Sequence, residues 1–141
     1  TEEQKRVVQN RFEVAKTNKP ASKQAAIRRW LSENFIKKNP DVYKKIYSIL
    51  DKNNHKNFLK CYEVFVNYID DDNMLKKIKV NTLITTGTND AGSTPKMSEN
   101  LSKMIQGSKF VEIKEGKHLC GIECANDVNI VFKEFIDTNN G

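Results

Sequence analysis

Apolar residues recur at helical spacing through the first seventy positions. Val7, Val8, Phe12 and Ala15 form one stripe, which ends near Asn18-Lys19-Pro20. Ser22 is the predicted cap of a second helix, with Ala26, Ile27, Trp30 and Leu31 on its inner face. Asn39-Pro40-Asp41 breaks the pattern and starts a third, carrying Val42, Ile46, Ile49 and Leu50. After a predicted loop at Asp51-Lys52-Asn53-Asn54 comes the strongest stripe: Phe58, Leu59, Tyr62, Phe65, Val66 and Ile69. Four short helices with wide apolar faces are expected, the last of them a core element.

The pattern changes at Asp70-Asp71-Asp72. A turn of helix around Met74–Ile78 leads into Val80-Asn81-Thr82-Leu83-Ile84-Thr85-Thr86, a nearly continuous β-branched run that reads as a strand buried on both faces. Gly87-Thr88-Asn89-Asp90-Ala91-Gly92 interrupts it. Thr94 then caps a helix with Pro95 in its first position, Met97, Leu101, Met104 and Ile105 on its inner face and Gly107 at its close. Residues 109–113 form a second strand, ending at Glu115-Gly116-Lys117-His118. A last helix is predicted from about Glu123 to Asp137, burying Val128, Val131, Phe132, Phe135 and Ile136.

The expected fold class is therefore α/β: a helical region over 1–72, then a βαβα unit over 73–141 with parallel strands and a right-handed crossover. Two parallel strands do not complete a sheet, because parallel sheets are covered on both faces and have more strands. Further strands are expected from another polypeptide or a second copy, through a homodimer or a swapped assembly.

Composition narrows the class. The chain has 141 residues, 38% hydrophobic and 30% charged. A mean hydropathy of −0.66 and the lack of any apolar run near the roughly 20 residues of a spanning helix argue against a membrane protein. The opening Thr1-Glu2-Glu3-Gln4-Lys5 has no apolar stretch of a secretory signal; it also has no initiating methionine, so a processed chain or a piece of a longer protein is expected. The net charge of +6 is uneven: residues 1–70 hold 15 Lys/Arg against 8 Asp/Glu, or +7, and residues 71–141 hold 9 against 10, or −1. These charges are scattered over helix surfaces, and Lys outnumbers Arg 20 to 4, so no nucleic-acid partner is expected. The alternative function is a non-catalytic helical or α/β binding module for an anionic partner. The odd count of three cysteines, Cys61, Cys120 and Cys124, argues for a reducing cytoplasm. Cys120, Cys124 and His118 lack a fourth ligand for a closed zinc site, so no metal is expected.

Sites in open parallel sheets form at the carboxyl ends of strands. Asp90 stands four residues past Thr86, and His118 five past Ile113. Neighbouring strands would bring them into one crevice, where a carboxylate bonded to one imidazole nitrogen leaves the other as a general base.

Residues 80–90, then Thr94-Pro95, Gly116-Lys117-His118-Leu119 and Glu123, resemble the C-terminal third of an α/β-hydrolase. In that family a penultimate strand ends in G-x-x-D and the last strand in G-x-H. The resemblance implies Asp90 as triad acid and His118 as triad base. Arg28-Arg29-Trp30-Leu31 and Asn57-Phe58-Leu59-Lys60-Cys61-Tyr62 are similar to the cap of the 3-oxoadipate enol-lactonase-like branch. The resemblance further implies an incomplete α/β-hydrolase fold, acting on a carboxylic ester or lactone and needing no cofactor. In such a cap, Trp30 would line the substrate pocket, and Arg28 or Arg29 would meet a substrate carboxylate. The family's G-x-S-x-G nucleophile elbow does not occur in these 141 residues, so the chain alone is expected to be inactive.

Overall fold

A computed structural model describes residues 2–69 and 72–139. The chain divides into two compact units, residues 2–28 with 36–69, and residues 29–35 with 72–139. The segment 29–35, which the sequence pattern groups with the helical region, thus belongs to the second unit. The predicted change of character at residues 70–72 falls largely outside the described residues.

Helices α1 (Glu2–Thr17), α2 (Lys19–Trp30), α3 (Glu33–Lys38), α4 (Pro40–Lys52) and α5 (His55–Asn67) succeed one another. Asn18, not Ser22, starts α2: its side chain accepts from the Ala21 N–H at 3.1 Å. An Asn at the junction can cap a helix that begins one residue later, and Pro20 is harmless in the first turn, where no N–H is needed. Helix α4 begins on Pro40 as expected and runs through Asp51 and Lys52, so the predicted loop shrinks to Asn53-Asn54. Asn54 caps α5 by accepting from the Asn57 N–H. The short α3 is not among the predicted helices, since six residues give too little periodicity to register.

In the first unit Phe12 and Ala15 of α1 and Ile27 of α2 are buried. Phe12 meets Tyr62 of α5 edge-on, ring centroids 5.4 Å apart. The α5 stripe is not the core element that its pattern predicts. Phe65 is 62% and Ile69 80% exposed. Leu59, Tyr62 and Val66 are half-buried. His55 is half-buried and stacks on Phe58.

The second unit contains α6 (Asp72–Leu75), β1 (Leu83–Gly87), α7 (Pro95–Met104), β2 (Lys109–Ile113), α8 (Cys120–Glu123) and α9 (Ala125–Asn139). Among the described residues the sheet has two strands, parallel, with Leu83 opposite Lys109 and Gly87 opposite Ile113. Strand β1 starts three residues later than predicted. Its pairing begins where β2 begins, with the Lys109 N–H donating to the Thr82 carbonyl, and Val80 stays exposed. Thr94 caps α7, and Pro95 opens it. Gly107 takes φ +78° and turns the chain into β2. The unit's core is Leu31, Ile84, Ile105, Ile113 and Val128. Contrary to expectation, Phe132 and Ile136 on α9 are exposed. An amphipathic helix whose stripe is half uncovered fits a two-stranded sheet, which offers little surface to lie on. No helix of the described residues is long and apolar enough to cross a membrane.

Candidate active site

Two loops leave the carboxyl ends of β1 and β2, and their backbones nearly touch. A Cβ on Gly87 would lie 2.1 Å from the carbonyl oxygen of Gly116, so only glycine permits this approach. Gly116 is similarly confined, with the Cys120 Cβ 2.7 Å from where its own Cβ would stand. Backbone bonds then lock the loops: the Thr88 N–H donates to the Ile113 carbonyl and the Asn89 N–H to the Gly116 carbonyl. The Thr88 hydroxyl accepts from the Glu115 N–H at 2.9 Å. Glu115 holds φ +60°, a left-handed conformation that costs a non-glycine residue about 1–2 kcal/mol.

Asp90 is presented by the first loop. Its Oδ1 accepts from the N–H groups of Gly92 at 2.7 Å and Ser93 at 3.0 Å. The Thr86 hydroxyl donates to the Ser93 carbonyl and closes the turn. These bonds direct Oδ2 at Nδ1 of His118, 2.8 Å away. The carboxylate is 5% exposed and the imidazole 44%. A carboxylate only accepts hydrogen bonds, so Nδ1 is the donor, and in the neutral ring that leaves the lone pair on Nε2. The arrangement can hold an imidazole in one tautomer and stabilise it once it gains a proton.

Trp30 joins this pair. Its indole stacks on the His118 ring, centroids 6.3 Å apart and planes 27° off parallel. Its carbonyl accepts from the Leu119 N–H at 2.9 Å. The sequence singles out Trp30 for the pocket but gives no sign of contact with His118, which depends on how residues 29–35 meet the β2 loop. Arg28 is exposed and Arg29 half-buried in the last turn of α2. Successive helix positions lie about 100° apart, so the two do not share a face.

Cys120 and Cys124 are free and half-buried. Burial pushes both thiols above their ordinary range, with carboxylates nearby adding to it. Raised thiols are poor nucleophiles. Among the described residues no three His, Cys, Asp or Glu side chains cluster as metal ligands.

No protein-family model and no curated protein matches the chain. Solved structures do. The enol-lactonase from Burkholderia xenovorans LB400 superposes with a TM-score of 0.84 at 24% identity, over 94% of this chain and 50% of its own. A thermophilic esterase from Thermogutta terrifontis gives 0.80 at 23%, over 100% and 52%. A bromoperoxidase from Bacillus anthracis gives 0.80 at 18%, over 92% and 48%. The chain spans about half the length of the solved structures it matches.

Proposed function

Starting from a fold that is the C-terminal portion of an α/β-hydrolase, we propose that this chain supplies the acid and base of a serine-nucleophile hydrolase. The observation that carries this reading is the 2.8 Å contact between Asp90 Oδ2 and His118 Nδ1. Nε2 of His118 takes the proton of a serine borne by other residues and returns it to the leaving group. Asp90 keeps the ring oriented and offsets the charge it gains. The substrate is a carboxylic ester or lactone, the chemistry named for the enol-lactonase and esterase of like fold. No cofactor enters this chemistry. Trp30 lines the pocket, and Arg28 or Arg29 meets a carboxylate on the substrate. Helices α1–α5 act as the cap.

The partner is the missing half of the fold or a second copy of this chain, which supplies strands beside β1. The composition of the strands supports this: β1 is uncharged from Leu83 to Gly87, whereas β2 carries Lys109 and Glu112. Charged strands suit sheet edges, and uncharged ones seek a neighbour. Free thiols suit a reducing cytoplasm.

The test is hydrolysis of an activated ester by this chain alone and mixed with a polypeptide carrying the half of the fold that bears a serine nucleophile. Activity only in the mixture, lost in His118→Ala, is the expected result. Full activity of the chain alone would overturn it.

A further inference from the structure

Glu123 uses both carboxylate oxygens on backbone donors from two separate segments. Oε1 accepts from the Ser32 N–H at 3.1 Å, and Oε2 from the Lys117 N–H at a longer 3.4 Å. Ser32 caps α3 through its hydroxyl, which accepts from the Phe35 N–H. In a capping box, a Glu three residues after the cap would reach back to the cap's own N–H. Phe35 occupies that position and has nothing to offer. Glu123, 91 residues away, fills the role.

The same carboxylate also holds the residue before His118. The residue after it, Leu119, donates to the Trp30 carbonyl. The peptide units on both sides of the imidazole are therefore tied to residues 30–32, one directly and one through Glu123. We propose that Glu123 is the positioning residue of the His118 loop: by clasping Ser32 and Lys117 it sets where the imidazole stands between Asp90 and the Trp30 ring. It touches no reacting atom and acts through His118. This rests on the acid–base reading of Asp90 and His118. Bonds from N–H groups to a charged acceptor are the strong kind, so losing both loosens the peptide before His118, while the loop stays pinned to Asn89 and Thr88 on its other side.

Histidine-selective ¹⁵N labelling of the chain tests this, because it contains two histidines, His55 and His118. The wild type is expected to show a downfield His118 Nδ1 proton that disappears in Asp90→Asn. Absence of that Asp90-dependent signal in the wild type would remove the dyad, and the proposal with it. With the signal present, Glu123→Ala is expected to speed exchange of this proton with water about tenfold or more, the size of one charge-assisted bond. Glu123→Gln must turn an amide NH₂ toward one of the two donors, and is expected to speed exchange by a smaller factor. It decides the matter if the alanine variant does not fold. A purely structural Glu123 would lower the melting temperature without moving the His118 proton. Wild-type exchange in a folded Glu123→Ala or Glu123→Gln chain would overturn the proposal while leaving the dyad intact.

Discussion

A methyl group on Gly87 would meet the carbonyl oxygen of Gly116 at 2.1 Å. The obstacle is backbone, which cannot rotate aside as a side chain does. Gly87→Ala is therefore expected to push the Asp90 and His118 loops apart and destabilise the chain by about 3 kcal/mol. Gly121, on α8, has nothing within 4 Å of its Cβ direction, so Gly121→Ala is expected to be neutral or to stabilise by about 0.5–1 kcal/mol. Urea unfolding of both variants checks the contrast. Equal effects would mean that the close approach of the loops is not what glycine provides.

Asp90 serves its own loop as well as His118. Replacing it with alanine leaves the Gly92 and Ser93 N–H groups without their acceptor. Asp90→Ala is expected to cost about 2–4 kcal/mol. Asp90→Asn keeps an oxygen for those donors and should cost about 1 kcal/mol. Denaturant midpoints for the two variants measure the difference, and an alanine variant as stable as wild type would contradict the arrangement.

Much of this site can be read from the residue pattern, for a physical reason. Asp90 and His118 each stand a few residues past a strand, and parallel pairing of adjacent strands brings their ends together. Residues 109–113 and the Thr94-Pro95 helix start are equally plain, because cap chemistry and β-branched composition act locally. Burial is where the pattern fails. The stripes that run through α5 to Ile69, past its end, and along α9 read as core, yet Phe65, Ile69, Phe132 and Ile136 are exposed. Periodicity tells which face of a helix is apolar, not whether a covering element is present. Glu123 illustrates the other limit. Its two donors come from residues 32 and 117, and no spacing rule connects them. The sequence marks Glu123 only as one of the residues that carry the family resemblance, with no partner or role attached.

Glu99 offers a pH test on the surface of α7. Hydrogen bonds from Lys103 at 2.5 Å and Lys96 at 2.7 Å hold its carboxyl down to about 2, from an ordinary value of 4.5. A depressed carboxyl stabilises the fold above its unfolded value and ceases to do so as pH falls through the folded one. The support that Glu99 gives α7 should thus be complete above about pH 5 and fade between there and about pH 2. Carboxyl-carbon NMR of the folded chain is expected to place its midpoint near 2, moving up in Lys103→Ala. A wild-type midpoint at the ordinary value would mean that the lysines do not engage it.

The most direct test of the acid–base assignment is kcat/KM for an activated ester, measured with the chain joined to the half of the fold that carries a serine nucleophile. His118→Ala is predicted to lower it about 10⁴-fold or more, with Asp90→Asn falling in the same direction. A His118→Ala enzyme within tenfold of wild type would contradict the account.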